Sequence, residues 1–255
     1  SGLLLSLVQE EALLSALYVE LDGEVPPEAL IAELDALPAD EAQPLRLCTD
    51  GRRLRRELSP PLVAGLEALP AGPGCVVVTG GLGGMALTLA ETLVPALGDS
   101  LALLHRGDFP PEAEWEALSQ GVDPLLAERA SRLIALREKG IAFRLYDCDV
   151  GDLDALAACL AEVRGDLGEI GGVLHTAGVA GDGFLLHKTQ ADFEAVLGAK
   201  VEAARHLHAL TRDDPLCFFV LAGSRTALTG APGQTDYAAA NAWLAAFAAW
   251  RRAQG

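Results

Sequence analysis

Four polar side chains in the last quarter of the chain have the types and spacing for carbonyl chemistry. Tyr237 is one of only three tyrosines; Ser224 precedes it by thirteen positions and Asn241 follows it by four. Lys200 lies in the segment before and is one of only three lysines, with Lys139 and Lys188. Reducing a ketone takes a hydride and a proton. A tyrosine hydroxyl can give the proton to the developing alkoxide. A serine hydroxyl can hold the same oxygen. A nearby ammonium lowers the tyrosine pKa and can bind a nicotinamide ribose. Asn241, one helical turn after Tyr237, is on the same side of a helix and can hold the lysine through a water. Taken singly, Tyr237 reads equally as a half-buried aromatic capping a helix, and Lys200 as a solvated helix lysine. The joint pattern favours chemistry only if a hydride source binds upstream.

A stretch suited to that lies at residues 75–86, "CVVVTGGLGGMA". An apolar strand is followed at once by Thr79, Gly80, Gly81, Leu82, Gly83, Gly84 and Met85, and then by a helical pattern. Glycines permit a tight turn and a close approach to a pyrophosphate, which the free N–H groups and dipole of the helix N-terminus attract. Ala86 stands where such a loop often has its last glycine, and alanine still allows close helix–strand packing. The next strand, "SLALLHRG", ends in Arg106 rather than an acidic residue, which suits a ribose 2′-phosphate and hence NADP(H). Asp149 and Val150 end a third strand, where an aspartate can meet the adenine. His175, Thr176, Ala177 and Gly178 end a fourth, where small residues let the cofactor pass. Ser224 closes a fifth. These positions are all at strand C-termini, where α/β sheets bind ligands.

The elements that position these residues alternate from Cys75 onward. Strands are expected in "CVVVTGG", "SLALLHRG", "IAFRLYDCDV", "IGGVLHTAG" and "LCFFVLAGS", with helices between them. "PPEAEWEALSQ" and "DPLLAERASRLIALREKG" form a helical insert. Unbroken apolar strands alternating with helices imply a parallel sheet covered on both faces, an α/β doubly wound Rossmann-like domain. Residues 1–65 differ: a helix, a strand "ALYVELDG", an amphipathic helix opened by prolines, and a hairpin around Asp50-Gly51. Leu69 to Gly74 have the composition of a linker.

The net charge of −17 argues against nucleic acid or an anionic membrane as a partner. No apolar run reaches the length of a membrane span. The five cysteines are scattered without CxxC spacing, which suits a reducing cytoplasm and points to no metal site. Cys75, Cys148 and Cys217 sit in apolar runs, where cysteine acts as a small hydrophobe.

"TGGLGGMA", "HTAGVAGDG", "GAKVEAARHLHAL" and "GSRTALTGAPGQTDYAAAN" together resemble the ketoreductase domain of modular polyketide synthases, in the short-chain dehydrogenase/reductase superfamily. Most of that superfamily has Tyr-xxx-Lys; this chain has Tyr-xxx-Asn with the lysine upstream, as the polyketide branch does. The insert resembles that of longer ketoreductases from trans-acyltransferase assembly lines. The resemblance implies residues 1–68 as a partial structural subdomain, a shortened Rossmann-like unit that binds no cofactor. It implies residues 69–255 as the NADPH-binding catalytic subdomain, without the strand and substrate lid that follow the tyrosine helix in the family. It implies Tyr237 as proton donor, Ser224 as carbonyl-orienting group, and Lys200 and Asn241 as completing a tetrad. The implied substrate is a β-ketoacyl chain on the phosphopantetheine arm of an acyl carrier protein, with neighbouring synthase domains as partners. The alternative is a catalytically silent scaffold of the same fold. For handedness, the B-type Leu-Asp-Asp signature falls on Ala180, Gly181 and Asp182, so only the last aspartate matches. The A-type tryptophan position holds Thr229. Pro232 matches a B-type proline, whereas Asp236 replaces its asparagine. The balance is B-type, a D-configured hydroxyl.

Overall fold

The computed structural model describes residues 1–11, 14–37, 42–55, 70–92 and 98–254. In chain order the elements are α1 (Gly2–Glu10), β1 (Ala16–Asp22), α2 (Pro27–Asp35), β2 (Ala42–Cys48), β3 (Arg53–Arg55), β4 (Cys75–Thr79), α3 (Gly84–Thr92), β5 (Ser100–His105), α4 (Trp115–Ser119), α5 (Pro124–Glu138), β6 (Phe143–Asp147), α6 (Leu153–Leu167), β7 (Ile170–His175), α7 (Gln190–Leu197), α8 (Ala203–Leu210), β8 (Phe218–Leu221), α9 (Thr226–Thr229) and α10 (Thr235–Gln254). A π turn, Gly198–Glu202, separates α7 from α8. The chain forms two compact units: Glu67–Gly178 with Gly198–Ala222, and Ser1–Leu66 with Val179–Leu197 and Gly223–Gly255.

The first unit, which we call the sheet unit, holds five parallel strands in the order β6-β5-β4-β7-β8. Parallel neighbours need crossovers, and helices supply them. The chain winds outward from β4 through β5 to β6, then returns to the other side of β4 for β7 and β8. The switch point therefore lies between β4 and β7. Strand β4 is buried at every position, as a sheet covered on both faces requires. Val76, Val78, Leu101, Leu103 and Leu133 fill one core; Val77, Ala102, Leu104, Leu156 and Leu160 fill the other.

The helical insert is pinned to the edge strand β6. Trp115 stacks on Phe143 with ring centroids 6.0 Å apart, and Arg137 lies 4.0 Å over the same ring. The indole N–H donates to the Pro110 carbonyl at 2.9 Å. Helix α5 opens with Pro124, and the Asp123 carboxylate caps it by accepting from the Leu125 and Leu126 N–H groups.

In the second unit, the helical unit, β1 and β2 pair in parallel across α2, and β3 returns antiparallel. The expected hairpin is present: Gly51 takes φ +81° and its N–H donates to the Cys48 carbonyl at 3.0 Å. The two prolines open α2 as expected.

Several boundaries differ from the sequence expectations. Residues 149–150 lie beyond β6 and Ser224 lies three residues beyond β8, so both are loop positions just past the strand ends. The helix expected between β7 and β8 is interrupted by the π turn. Gly72 to Gly74, expected as linker, lie against the chain at residues 169–171; a Cβ on Gly74 would collide with the Glu169 carbonyl. Cys75 and Cys148 are buried thiols, but Cys217 is exposed because it precedes β8 at the rim of the sheet. Leu69 and residues 93–97 of the expected helix after the glycine loop lie outside the described residues.

Candidate active site

Within the sheet unit, the glycine loop fills the turn from β4 to α3, beside the switch point. Its glycines have distinct reasons. Gly80 takes φ +67°, and a Cβ there would come 3.0 Å from the backbone of Ala177. Gly81 passes directly over β5: its N–H donates to the Leu104 carbonyl at 2.7 Å, and a Cβ would lie 2.8 Å from Leu103 backbone atoms. Gly83 closes the turn by donating to the Gly80 carbonyl at 2.7 Å. A Cβ on Gly84 would meet nothing within 4 Å, so packing does not demand glycine there; close approach of a ligand to the helix N-terminus would. Leu82 and Ala86 are buried in the core, whereas Met85 is exposed on the first turn of α3.

Arg106, just past β5, has a side chain 70% exposed and lies 3.6 Å from the Asp149 carboxylate. An exposed pair at that distance stabilises little. Asp149 also accepts the Gly151 N–H at 2.9 Å, and Val150 is buried in the second core.

Thr79 and His175 form a buried relay between β4, β7 and the π turn. The His175 Nε2 lies 3.1 Å from the Lys200 carbonyl, and its Nδ1 lies 2.7 Å from the Thr79 hydroxyl. A carbonyl only accepts, so Nε2 carries the hydrogen. Neutral Nδ1 then accepts from the Thr79 hydroxyl, whose oxygen accepts the Ala177 N–H at 3.1 Å. The Thr176 hydroxyl donates to the Thr79 carbonyl at 2.6 Å. Burial pushes the His175 pKa down to about 4.

Lys200 sits in the π turn and is 4% exposed. Its ammonium donates to the Ala222 carbonyl at 3.1 Å, and burial pulls its pKa below the ordinary lysine value. Its stem lies across Gly178, where a Cβ would come 2.9 Å from the lysine Cε. A solvated helix lysine needs none of this.

Within the helical unit, Tyr237 and Asn241 stand one turn apart on α10. Tyr237 is half-buried; Asn241 is buried, and its Nδ2 donates to the Tyr237 carbonyl at 2.7 Å. That bond leaves the Oδ1 as a buried acceptor without a partner among the described residues. Ser224 is half-buried, and its oxygen accepts from the Thr226 N–H at 3.2 Å and hydroxyl at 3.0 Å. Asp182, Thr229 and Pro232 are exposed. The sequence-predicted residues thus gather in two groups, the nucleotide loop with Lys200 in one unit and Ser224, Tyr237 and Asn241 in the other.

A family model described as the KR domain matches residues 74–255. The chain belongs to the KR domain family. Among its relatives, 5-methyl-1-naphthoate synthase of Streptomyces sahachiroi is 32% identical over 233 residues, 90% of this chain and 13% of that protein. A phenolphthiocerol synthesis type I polyketide synthase of Mycobacterium marinum is 37% identical over 182 residues, 71% of this chain and 8% of that protein. A solved ketoreductase domain from the bacillaene assembly line superposes with TM-score 0.80 at 28% identity, covering 99% of this chain and 57% of that one. An A-type ketoreductase from a modular polyketide synthase gives TM-score 0.73 at 34% identity, covering 100% and 51%. The chain spans about a tenth of the curated relatives and about half of the solved ones. The short-chain dehydrogenase/reductase fold and the Rossmann-like sheet are those of polyketide synthase ketoreductases.

The sequence did not disclose what holds the KR tyrosine segment. Helix α1 turns a polar face to it. Ser6 Oγ accepts the Ala231 N–H at 3.1 Å, and Gln9 donates to the Thr229 carbonyl at 2.7 Å. The two oxygens of Glu10 accept the Gly233 N–H at 2.9 Å and the Leu185 N–H at 2.7 Å. Gly2 makes room for the Ala238 carbonyl of α10. The available signal was the spacing Gly2, Ser6, Glu10, small and polar residues recurring every four positions in an otherwise apolar helix. Replacing Glu10 with alanine leaves two backbone donors unmet, so a loss of about 1–3 kcal/mol is expected in denaturant titration.

His175 gives the ketoreductase a pH-dependent stability. An unfolded histidine protonates near pH 6.5, about the ordinary value, but the native imidazole only near pH 4. Between these values the unfolded chain binds more protons, so acidification favours unfolding. The contribution is complete above about pH 6.5 and declines by roughly 3 kcal/mol toward pH 4. Subtracting the stability profile of His175→Asn from that of the wild type should isolate this slope.

Proposed function

We propose that this ketoreductase uses NADPH to reduce a β-ketoacyl thioester, carried on an acyl carrier protein, to the β-hydroxyacyl thioester during polyketide assembly. The observation that carries the proposal is Lys200: a rare lysine, buried by a π turn beside the switch point, with its ammonium among backbone carbonyl and glycine rather than in water. Burying an ammonium is costly, and π turns are frequent at functional sites.

The residues fit the cofactor. The N–H groups at the start of α3, approached over Gly84, would hold the pyrophosphate. Arg106 would hold the 2′-phosphate that distinguishes NADPH from NADH, Asp149 and Val150 the adenine side, and Thr176 to Gly178 the passage toward the nicotinamide. NADPH supplies the hydride when bound. The chain's own groups handle the oxygen and its proton. Ser224 holds the carbonyl oxygen through its hydroxyl. Tyr237 gives its phenolic proton to that oxygen as negative charge develops. In the tetrad that the family implies, Lys200 contributes the positive charge that favours the phenolate left behind. The Oδ1 of Asn241, buried and without a partner among the described residues, calls for a donor; the family implies a water in that role. The cooperation of Lys200 with Tyr237 and Asn241 is taken from the family.

We assign residues 1–68 to a partial structural subdomain and 69–255 to the catalytic one. Asp182 and Pro232, with Thr229 in place of the A-type tryptophan, support a B-type, D-configured product. Neighbouring synthase domains and the carrier protein are the partners.

The test is NADPH oxidation by the full-length protein with a β-ketoacyl pantetheine thioester. Tyr237→Phe should lower kcat by about 10²–10⁴-fold, the usual worth of a positioned proton donor. Arg106→Ala should raise KM for NADPH while leaving that for NADH nearly unchanged. A wild type that neither binds NADPH nor loses anything on Tyr237→Phe would end the proposal.

A further inference from the structure

Asp236 immediately precedes Tyr237, and three segments of the helical unit converge on its carboxylate. The Lys188 ammonium donates to Oδ2 at 2.8 Å, with the two side chains 2% and 0% exposed. Oδ1 accepts the Tyr237 N–H at 2.8 Å. The backbone of Gly181 presses on the same group: a Cβ there would lie 2.5 Å and 2.6 Å from its two oxygens. Lys188 itself follows the short 3₁₀ turn Leu185–His187, which Glu10 holds through the Leu185 N–H.

A buried ion pair is a poor device for stability alone, because apolar side chains of similar volume usually serve as well or better. This one does something an apolar pair could not. It joins the first turn of α10 to the loop at 179–183 and to the turn after it through directional bonds to fixed backbone.

We propose that the Lys188–Asp236 pair is a positioning element that sets the loop Val179–Gly183 against Tyr237, and thereby governs which face of the ketone receives hydride. This rests on Tyr237 acting as proton donor. The pair also joins two sequence features that look unrelated. With Asp236 held by Lys188 and by the Tyr237 N–H, a side chain at 181 would force the carboxylate out of its place, and an acidic one would also repel it. The glycine within Ala180-Gly181-Asp182 and the aspartate before Tyr237 are therefore one coupled choice.

The experiment compares Asp236→Asn, Lys188→Met and the double variant in the full-length protein. Each single change strands a buried partner and should lower the melting temperature, up to loss of folding. The double change removes both charges and should recover it. In the recovered double variant, KM for the thioester should stay within about twofold while kcat falls about tenfold to a hundredfold, as a small misplacement of reacting groups produces. The ratio of the two hydroxyl epimers, read by chiral chromatography, should erode, and amide exchange over residues 181–188 should quicken. A folded double variant with wild-type epimer ratio, kcat and exchange overturns the inference. A wild type that does not reduce the thioester overturns the reductase proposal instead, and the exchange comparison then decides the pair alone.

Discussion

The sheet unit depends on one buried chain of hydrogen bonds, Thr79 to His175 to the Lys200 carbonyl. It crosses the switch point, the place where a parallel sheet opens to receive a ligand, and ties β4, β7 and the π turn together. It works in one protonation state. Only a neutral imidazole can accept from the threonine and donate to the carbonyl at once, and burial enforces that state. Around it the Thr79 carbonyl accepts from the Thr176 hydroxyl, and the Thr79 side-chain oxygen accepts the Ala177 N–H. The glycine loop and the Thr176–Gly178 segment can then present their backbones outward.

The same relay explains why a lysine can be afforded in the interior. Its backbone carbonyl is already fixed by His175, its stem fills the space that Gly178 leaves, and its ammonium has the Ala222 carbonyl. The π turn changes the direction of one side chain without ending the helix. Such π turns are frequent at functional sites.

Much of this was legible in the sequence. The five apolar strands, the Asp50-Gly51 hairpin, the insert helices with their Asp123-Pro124 start and the strand–glycine–helix turn follow from periodicity and turn chemistry, because those signals are local. The order of Lys200, Ser224, Tyr237 and Asn241 carried the resemblance to the family whose model matches the chain. What was not legible depends on contacts far apart in the chain. The spacing of Gly2, Ser6 and Glu10 marks a small and polar face on α1 but does not say that the Glu10 carboxylate holds backbone at 185 and 233, and nothing near Lys188 announces Asp236. The ends of β6 and β8 were overrun for a related reason: Cys148 to Val150 and Ala222 to Ser224 look strand-like, but a ligand-binding edge needs the chain to leave the sheet there.

The two units secure their polar side chains by opposite means, and the difference follows from what each must hold. In the sheet unit the fixed parts are strand ends, already rigid, so one threonine and one histidine in the interior suffice. In the helical unit the segment from Ser224 to Gln234 has little regular structure beyond the four residues of α9, and turn bonds within it satisfy only some of its backbone groups. Side chains from α1 meet them one by one: Ser6 at Ala231, Gln9 at Thr229, Glu10 at Gly233. An irregular segment held by individual hydrogen bonds can change its path by a single substitution, whereas a strand end cannot. The positions at which the resemblance raised the question of handedness, Gly181, Thr229 and Asp236, all belong to this unit.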